Sequence, residues 1–192
     1  DRLANWLMQH GAQVRRVAFQ GGDVHDSQVL KPIAFKQALH DWPAFFGQLL
    51  HTHQVDCVVL FGQSRKYHHA AIELCKSQGI DVVVLEEGYF RPGYITMELG
   101  GVNGFSQTLQ RYLWAPTPET APHLTPDISP RHFQKMAWQA SLHYQAMWQA
   151  RHEFAQYKHH RNSQPSYYAH YWLRSWLRKL LNLRPSYRLQ RQ

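Results

Sequence analysis

The sequence has only two cysteines, Cys57 and Cys75, among its 192 residues. Two thiols are too few for the disulfide framework of a small secreted protein, and they do not have the spacing of a zinc site. Cys57 lies in an apolar run and Cys75 lies in a helical pattern. The sequence therefore predicts two buried thiols in a protein of the reducing cytoplasm.

Long hydrophobic runs and familiar catalytic motifs are also missing. No stretch reaches the roughly 18 apolar residues that a membrane-spanning helix needs, and no signal-peptide pattern opens the chain. The fourteen histidines contain no H-E-x-x-H spacing, so we expect no metal site and no permanently bound cofactor. The absence of a G-x-G-x-x-G fingerprint after a strand disfavours a nucleotide-sugar epimerase or dehydrogenase.

Acidic residues are nearly absent from the end of the chain. Residues 1–132 carry 11 lysines and arginines against 12 acidic residues, whereas residues 133–192 carry 10 against one. The net charge of +8 is therefore concentrated in the C-terminal part and indicates an anionic partner, either nucleic acid or an anionic membrane surface. No nucleic-acid-binding motif is present, so we expect no nucleic-acid partner.

Helical and strand-like patterns alternate in the first half of the chain. The helical segments are residues 2–10, 33–53 (broken at Pro43) and 67–79, and the strands are residues 14–19, 55–61 and 80–85. Apolar strands separated by helices are typical of a parallel sheet covered on both faces. The predicted fold class is α/β, a Rossmann-like parallel sheet that lacks its opening strand and is followed by a helical segment.

Five prolines between residues 115 and 130 predict a linker or extended loop. Beyond it, apolar residues at spacings of three, four and seven predict a long amphipathic helix over residues 133–157, and a second helix covers residues 167–183. The predicted domains are residues 1–114, a Rossmann-like catalytic domain, and residues 131–192, a basic helical segment, joined by the linker at 115–130.

The second helix combines aromatic and basic residues. Tyr168, Trp172 and Trp176 share one stripe, and cations occupy its flanks: Arg174, Arg178, Lys179, Arg184, Arg188 and Arg191. This combination is typical of a helix at a membrane surface. An equally good interpretation is that the aromatic stripe packs on another domain.

Polar residues follow each predicted strand. Ligands of open parallel sheets bind outside the carboxyl ends of the strands, so we expect the three ends to line one crevice. At the first end, Gly21 and Gly22 either let a backbone approach a ligand or form a turn, and Asp23 either orients a hydroxyl or caps the next helix.

The other two strand ends carry cations and carboxylates. The segment "GQSRKYHH" offers amides at a helix start together with Arg65 and Lys66, which suits a phosphate or carboxylate, although a solvated helix terminus is the alternative. Glu86 and Glu87 end the last strand, where alternation lets only one aim into the crevice. Arg91 either keeps a carboxylate ionised or binds a substrate anion.

The segments "FQGGD", "GQSRKYHHAAI" and "LEEGYFRPGYITMELGGVNGFS" together resemble the capsule polysaccharide biosynthesis family of Gram-negative bacteria, in particular the KpsS (LipB) type of β-Kdo glycosyltransferase. The resemblance covers roughly residues 1 to 115 well. It implies transfer of the acidic sugar Kdo from CMP-Kdo, with retention, onto lysophosphatidylglycerol at the cytoplasmic face of the inner membrane. It also implies other capsule biosynthesis and export proteins as partners.

The resemblance also implies roles for individual residues. Related KpsC-type transferases have E-D-G where this chain has Glu86, Glu87 and Gly88, which makes Glu87 the nucleophile. The implied catalytic set is Glu87, Glu86, His68 and Asp23. The implied substrate-binding set is Gly21, Gly22, Arg65, Lys66, Tyr67, Gly88, Tyr89, Arg91, Gly101 and Asn103.

Transferases of this kind are expected to have two Rossmann-like halves in a GT-B arrangement. The expectation is therefore that this chain holds the acceptor-side half, lacks the C-terminal nucleotide-binding half and is inactive alone. The competing hypothesis is a non-catalytic, membrane-associated scaffold or export component of capsule assembly.

Overall fold

The computed structural model of the chain describes residues 1–88, 94–107, 130–158 and 164–181. Its strands and helices alternate and include two parallel strand pairs, so the predicted α/β, Rossmann-like fold class is confirmed. The described residues form two compact units. The first contains residues 1–36 and those from 137 onward, and the second contains residues 37–136.

The first unit contains a small parallel sheet and two long helices. Strand β1 (Val17–Ala18) pairs with β2 (Ile33–Ala34), and the short helix α2 (Gly21–His25) lies between them in sequence. Helix α1 (Arg2–Gln9) precedes the sheet. The last two helices are α5 (Pro130–Gln149), most of which belongs to this unit, and α6 (Pro165–Leu180).

The second unit is built on a three-stranded sheet in the order β3-β4-β5. A 3₁₀ turn (Leu39–Asp41) leads into α3 (Trp42–Thr52), and α4 (Lys66–Gln78) connects β3 (Cys57–Phe61) to β4 (Asp81–Glu87). Strands β3 and β4 are parallel, whereas β5 (Ile95–Leu99) runs antiparallel to β4. A second 3₁₀ turn (Asn103–Phe105) follows β5.

One face of this sheet forms the core of the second unit. Helix α4 packs on β4, and α3 packs on α4. Val82 and Val84 are buried on this face, and Cys75 of α4 is fully buried, as predicted. Helix α4 ends at Gly79, whose φ of +69° stops the helix in the left-handed conformation that glycine adopts readily.

The opposite face of the sheet is open among the described residues. Its apolar side chains are between 41% and 66% exposed: Val59, Phe61, Ile95, Met97 and Leu99. The prediction of a sheet covered on both faces is therefore wrong for the described part of the chain. Cys57 lies on the same face and is exposed, so its predicted burial is also wrong. A continuous apolar run does not reveal which face a helix covers.

Two further predictions about the elements are corrected. The three predicted strands do not share one sheet, because β1 pairs with β2 while β3 pairs with β4. The helix predicted over residues 33–53 begins only at Trp42, and Pro43 lies in its first turn instead of breaking it. Proline fits there because the first amides of a helix have no partner within it.

The predicted linker at residues 115–130 lies outside the described residues, apart from Pro130, so the predicted domain division remains a prediction. Among the described helices, none is both long enough and apolar enough to cross a membrane.

Candidate functional site

The chain turns sharply where β3 ends. Gly62 has a φ of +75°, which side chains with a Cβ rarely allow. Its amide donates to the Leu85 carbonyl oxygen at 2.7 Å, and its own carbonyl oxygen accepts from Nδ1 of His68 at 2.7 Å. His68 lies in the first turn of α4, so this contact fastens the start of the helix to the end of the strand.

The contact also determines which nitrogen of the half-buried His68 ring carries the proton. A carbonyl oxygen can only accept, so Nδ1 carries a proton in this hydrogen bond. In the neutral ring, Nε2 is then the nitrogen that can accept a proton. A neutral histidine in this tautomer can act as a general base toward a group that hydrogen-bonds to Nε2.

Glu86 and Glu87 end β4 with their side chains on opposite faces of the sheet. Glu86 lies opposite Thr96 and Glu87 lies opposite Ile95. Glu86 is half-buried on the face that α4 covers, and its Oε2 lies 3.7 Å from the position of a Cβ added to Gly62. Glu87 is exposed at the end of the open face. Only Glu86 is therefore on the same face as α4.

Two predicted anion-binding residues begin α4. Arg65 precedes the helix and Lys66 is its first residue, and both side chains are exposed. Among the described residues, no side chain is hydrogen-bonded as a cap to this helix end. Backbone amides and two cations therefore meet at one place, a combination suited to a phosphate or carboxylate.

Tyr67 is part of the packing between α3 and α4. Its ring lies edge-on to Trp42 with the centroids 6.0 Å apart, and its carbonyl oxygen accepts the Trp42 indole N–H at 2.9 Å. Burial raises the pKa of the Tyr67 hydroxyl. These contacts give Tyr67 a structural role, and its predicted contact with substrate remains a prediction.

Gln63 joins the end of β3 to the segment after β5. Its Nε2 donates to the Val102 carbonyl oxygen at 2.9 Å, and its Oε1 accepts from the Val102 amide at 3.2 Å. A Cβ on buried Gly101 would lie 3.1 Å from Gln63 Oε1 and 2.9 Å from the Phe105 Cβ, so glycine permits this close approach. Sequence analysis missed Gln63, although an amide side chain at a strand end can both donate and accept.

A partly buried hydrogen bond links β5 to the same segment. The hydroxyl of Ser106, which is only 1% exposed, donates to the Glu98 carboxylate. Asn103 starts the intervening 3₁₀ turn with a φ of +55° and is exposed. The predicted residues Gly101 and Asn103 are thus held close to the end of β3.

Gly88 allows the two strands of the β4-β5 hairpin to approach. Its amide donates to the Tyr94 carbonyl oxygen at 2.8 Å, and an added Cβ would lie 2.6 to 2.8 Å from Tyr94 atoms, two of them in the backbone. The predicted residues Tyr89 and Arg91 lie outside the described residues.

The remaining predicted residues, Gly21, Gly22 and Asp23, belong to the first unit. A Cβ on Gly21 would lie 2.4 Å from the Ala146 carbonyl oxygen of α5, and one on Gly22 would lie 2.4 Å from the His143 ring. The Asp23 carboxylate accepts from the Phe19 amide at 2.9 Å and so stabilises the start of α2. The glycine pair therefore makes room for α5, and its predicted contact with substrate remains a prediction.

His143 of α5 connects several polar residues of the first unit. Its Nδ1–H donates to the Asp26 carboxylate at 2.7 Å, and its Nε2 lies 3.3 Å from the side-chain nitrogen of Gln20. Burial by itself raises the pKa of Asp26, but hydrogen bonds with His25 and His143 and their charges outweigh it and lower the pKa. No residue near His143 in the sequence predicts this role, because its partners lie more than 100 positions away.

Within the described ranges, no three His, Cys, Asp or Glu side chains come together in a way that could hold a metal ion. The residues that the structure does bring together at the carboxyl ends of β3 and β4 are Gly62, Gln63, His68, Glu86 and Gly101. This cluster offers a carboxylate and a histidine beside a helix terminus.

Comparisons with known proteins confirm the family to which the sequence motifs point. A family model described as "Capsule polysaccharide biosynthesis protein" matches residues 56–188. "Capsule polysaccharide export protein KpsS" of Escherichia coli is 34% identical over 183 residues, which are 93% of this chain and 46% of that protein. "Capsule polysaccharide modification protein LipB" of Neisseria meningitidis, serogroups A and B, is 31% identical over 185 residues, which are 93% of this chain and 44% of LipB.

The chain thus spans less than half the length of these curated relatives. No solved structure matches it.

Proposed function

The chain belongs to the capsule polysaccharide biosynthesis family, and from this premise we propose that it acts in capsule assembly as a retaining glycosyltransferase. The donor is CMP-Kdo and the acceptor is lysophosphatidylglycerol. The reaction starts the oligo-Kdo linker of a capsular polysaccharide, and the protein is peripheral at the cytoplasmic face of the inner membrane.

The observation that supports this proposal most directly is the carboxylate pair at the end of β4, of which Glu86 lies beside the turn that Gly62 and His68 form. Retention requires two displacements. In the first, a carboxylate oxygen bonds to the anomeric carbon of Kdo, and the bond from that carbon to the CMP phosphate oxygen breaks with its electron pair on the phosphate. In the second, an acceptor hydroxyl displaces the carboxylate and passes its proton to a base.

We assign the nucleophile to Glu87, as the E-D-G motif of related transferases implies, and the support of the site to Glu86. Glu87 is the exposed member of the pair, and Glu86 is half-buried beside Gly62. His68 is the base for the acceptor hydroxyl, because the hydrogen bond from its Nδ1 leaves Nε2 as the accepting nitrogen of the neutral ring.

Both CMP and Kdo are anions, and the amino end of α4 supplies matching charge. Arg65 and Lys66 are exposed there beside backbone amides that no side chain of the described residues caps. Cations and helix amides would stabilise the charge that develops on the departing phosphate. Tyr89 and Arg91 complete the proposed substrate site, together with Asn103 as a partner for sugar hydroxyls.

The test uses the protein expressed from its whole gene, incubated with CMP-Kdo and fluorescent lysophosphatidylglycerol, with products identified by mass. The wild type is expected to add one Kdo. Glu87→Gln is expected to lower the rate by a factor on the order of 10³, because it removes the nucleophile. Glu73→Gln, which changes an exposed carboxylate of α4, is the matched control and should keep wild-type activity.

Glu86→Gln distinguishes the two carboxylates. Full activity in Glu87→Gln together with loss in Glu86→Gln would move the nucleophile to Glu86. No Kdo addition by the wild type, with lipid binding intact, would instead favour a non-catalytic, membrane-associated scaffold or export component. The name of the E. coli relative as an export protein is the observation that keeps this second function in view.

A further inference from the structure

Helix α6 has an apolar face that is exposed to solvent. Five large side chains follow the three-and-four spacing of a single helical face: Trp172, Leu173, Trp176, Leu177 and Leu180. They are between 41% and 71% exposed. Burying large aromatic and aliphatic groups is favourable, so an apolar helical face of this kind indicates a binding surface.

The other side of the same helix is basic. Arg174 and Arg178 lie one turn apart on the side away from Trp176, and Lys179 lies beside the apolar face. No acidic residue follows Glu153 in the sequence. The charge of the helix, which carries no carboxylate of its own, therefore complements an anionic partner.

The amino end of α6 is attached to the first unit. The ring of Tyr168 packs against Tyr144 of α5 with the centroids 5.4 Å apart. The exposed tryptophans and leucines come after this contact, one to three turns along the helix. The helix is thus anchored at one end while its apolar face is available.

We propose that α6 binds the surface of an anionic lipid membrane and lies in the plane of the interface. Trp172 and Trp176 lie at the level of the lipid headgroups, and the leucines of the same face reach the boundary of the acyl chains. Lys179, beside the apolar face, contacts lipid phosphates, and Arg174 and Arg178 on the polar side are attracted to the anionic surface. Tryptophan and leucine on one face with arginine on the other are typical of such helices.

The length and charge of α6 exclude a membrane-spanning helix. Its 16 residues extend about 24 Å, less than the hydrocarbon thickness of a bilayer, and three of them are cations. A helix of this kind lies on a membrane and does not cross it. The inference rests on the proposed function only for the choice of membrane, the one at which capsule lipid is made.

The test is flotation of the protein expressed from its whole gene with vesicles, without CMP-Kdo. Vesicles of phosphatidylcholine and phosphatidylglycerol in equal parts are compared with vesicles of phosphatidylcholine alone. The wild type is expected to bind the anionic vesicles at least about tenfold more tightly. Trp172→Ala with Trp176→Ala is expected to weaken that binding by about tenfold or more.

The matched control replaces two exposed tryptophans outside α6. Trp6 is 54% exposed and Trp138 is 66% exposed, so Trp6→Ala with Trp138→Ala removes the same surface chemistry elsewhere. This double variant should bind like the wild type. Circular dichroism of each variant establishes that the helical content is retained.

Two charge-reversal double variants test the electrostatic contribution to vesicle binding. Arg174→Glu with Arg178→Glu is expected to remove the preference for anionic vesicles, whereas Arg15→Glu with Lys31→Glu, an equal change of charge at two exposed positions, should keep most of it. Equal losses in the two variants would mean that total charge, and not α6, determines binding, and would overturn the proposal.

Two further results would also overturn it. One is the absence of vesicle binding by the wild type, and the other is a wild-type dimer that Trp172→Ala with Trp176→Ala dissociates, which would make α6 a protein-docking helix. Kdo transfer to acceptor in detergent micelles is measured separately on the whole-gene protein. Transfer without vesicle binding rejects only this inference, and vesicle binding without transfer rejects only the proposed function.

Discussion

The glycines around the carboxylate pair act through the space that they leave and not through chemistry. Gly62 takes a left-handed φ, while Gly88 and Gly101 each permit a contact that a Cβ would obstruct. Substituting them would move β4 or the segment after β5 before it altered any reacting group. Substitutions of the carboxylates and His68 therefore test catalytic activity, whereas substitutions of the glycines test backbone geometry.

The two thiols are expected to differ in reactivity. Cys75 is fully buried, and burial, followed by the nearby Cys57, raises its pKa to about 11. Cys57 is exposed, and its pKa is raised by partial burial and then by Asp81 and Asp56. Because the thiolate is the reacting form, iodoacetamide at pH 8 should alkylate Cys57 slowly and leave Cys75 unmodified until denaturant is added.

Peptide mass spectrometry identifies the modified residue. Cys57→Ser is the control and should give no adduct under native conditions. An adduct on Cys75 in the native protein, or a protected Cys57, would contradict the assignment of one buried and one exposed thiol.

At the scale of elements, the close packing of α5 against α2 depends on the glycine pair. The Ala146 carbonyl oxygen and the Ala150 Cβ occupy the place of a Gly21 side chain, and the His143 ring occupies that of Gly22. These partners differ in how easily they can move. A backbone carbonyl within a helix is fixed, whereas a half-exposed ring can rotate at the expense of its hydrogen bond to Asp26.

Gly21→Ala is therefore expected to destabilise the chain more than Gly22→Ala does. Overpacking of this kind costs about 1 to 3 kcal/mol, and Gly21→Ala should lie at the upper end. Urea unfolding followed by circular dichroism measures both free energies.

The double variant Gly22→Ala with His143→Ala tests the contact itself. It should be more stable than the sum of the single effects predicts, because the added methyl group then meets no ring. Equal stability of the wild type and Gly21→Ala would show that the pair does not serve packing, and would return the glycines to a role in ligand binding.

Elements with local signals could be predicted, and elements defined by distant contacts could not. Helix α4 was predicted because its apolar pattern ends at Gly79, a signal contained within the element. Strand β5 was not predicted, because its apolar residues are the exposed ones and its polar residues are the partly buried ones. Thr96 and Glu98 face the side that α4 covers, and the Ser106 hydroxyl donates a hydrogen bond to the Glu98 carboxylate there. The apolar side chains of β5 face outward.

The same distinction applies to the candidate site across the whole molecule. The candidate residues from His68 to Glu87 could be predicted, because they lie in the segments whose sequence resembles the family. Gln63 and His143 could not be, since each acts by joining segments about 40 or more positions apart. Which face of the sheet α4 covers, and hence which glutamate lies beneath it, likewise depends on packing that a strand pattern does not contain.

The open face of the β3-β4-β5 sheet predicts how the 192-residue chain behaves in solution. Apolar side chains cover this face, and β5 is an edge strand in the three-stranded sheet. Exposed apolar faces beside an unpaired strand promote association. We expect sedimentation velocity to show concentration-dependent self-association, and we expect Met97→Lys with Leu99→Lys to reduce it by introducing charge on the face.

Val24→Lys with Val29→Lys adds the same charge at two exposed positions of the first unit and should leave the association unchanged. Trp172→Ala with Trp176→Ala separates any contribution of α6. If Met97→Lys with Leu99→Lys associates as the wild type does, the sheet face is not the contact. If it becomes monomeric, the contact covers the face on which Glu87 lies, and Kdo transfer by Glu87 would require the monomer.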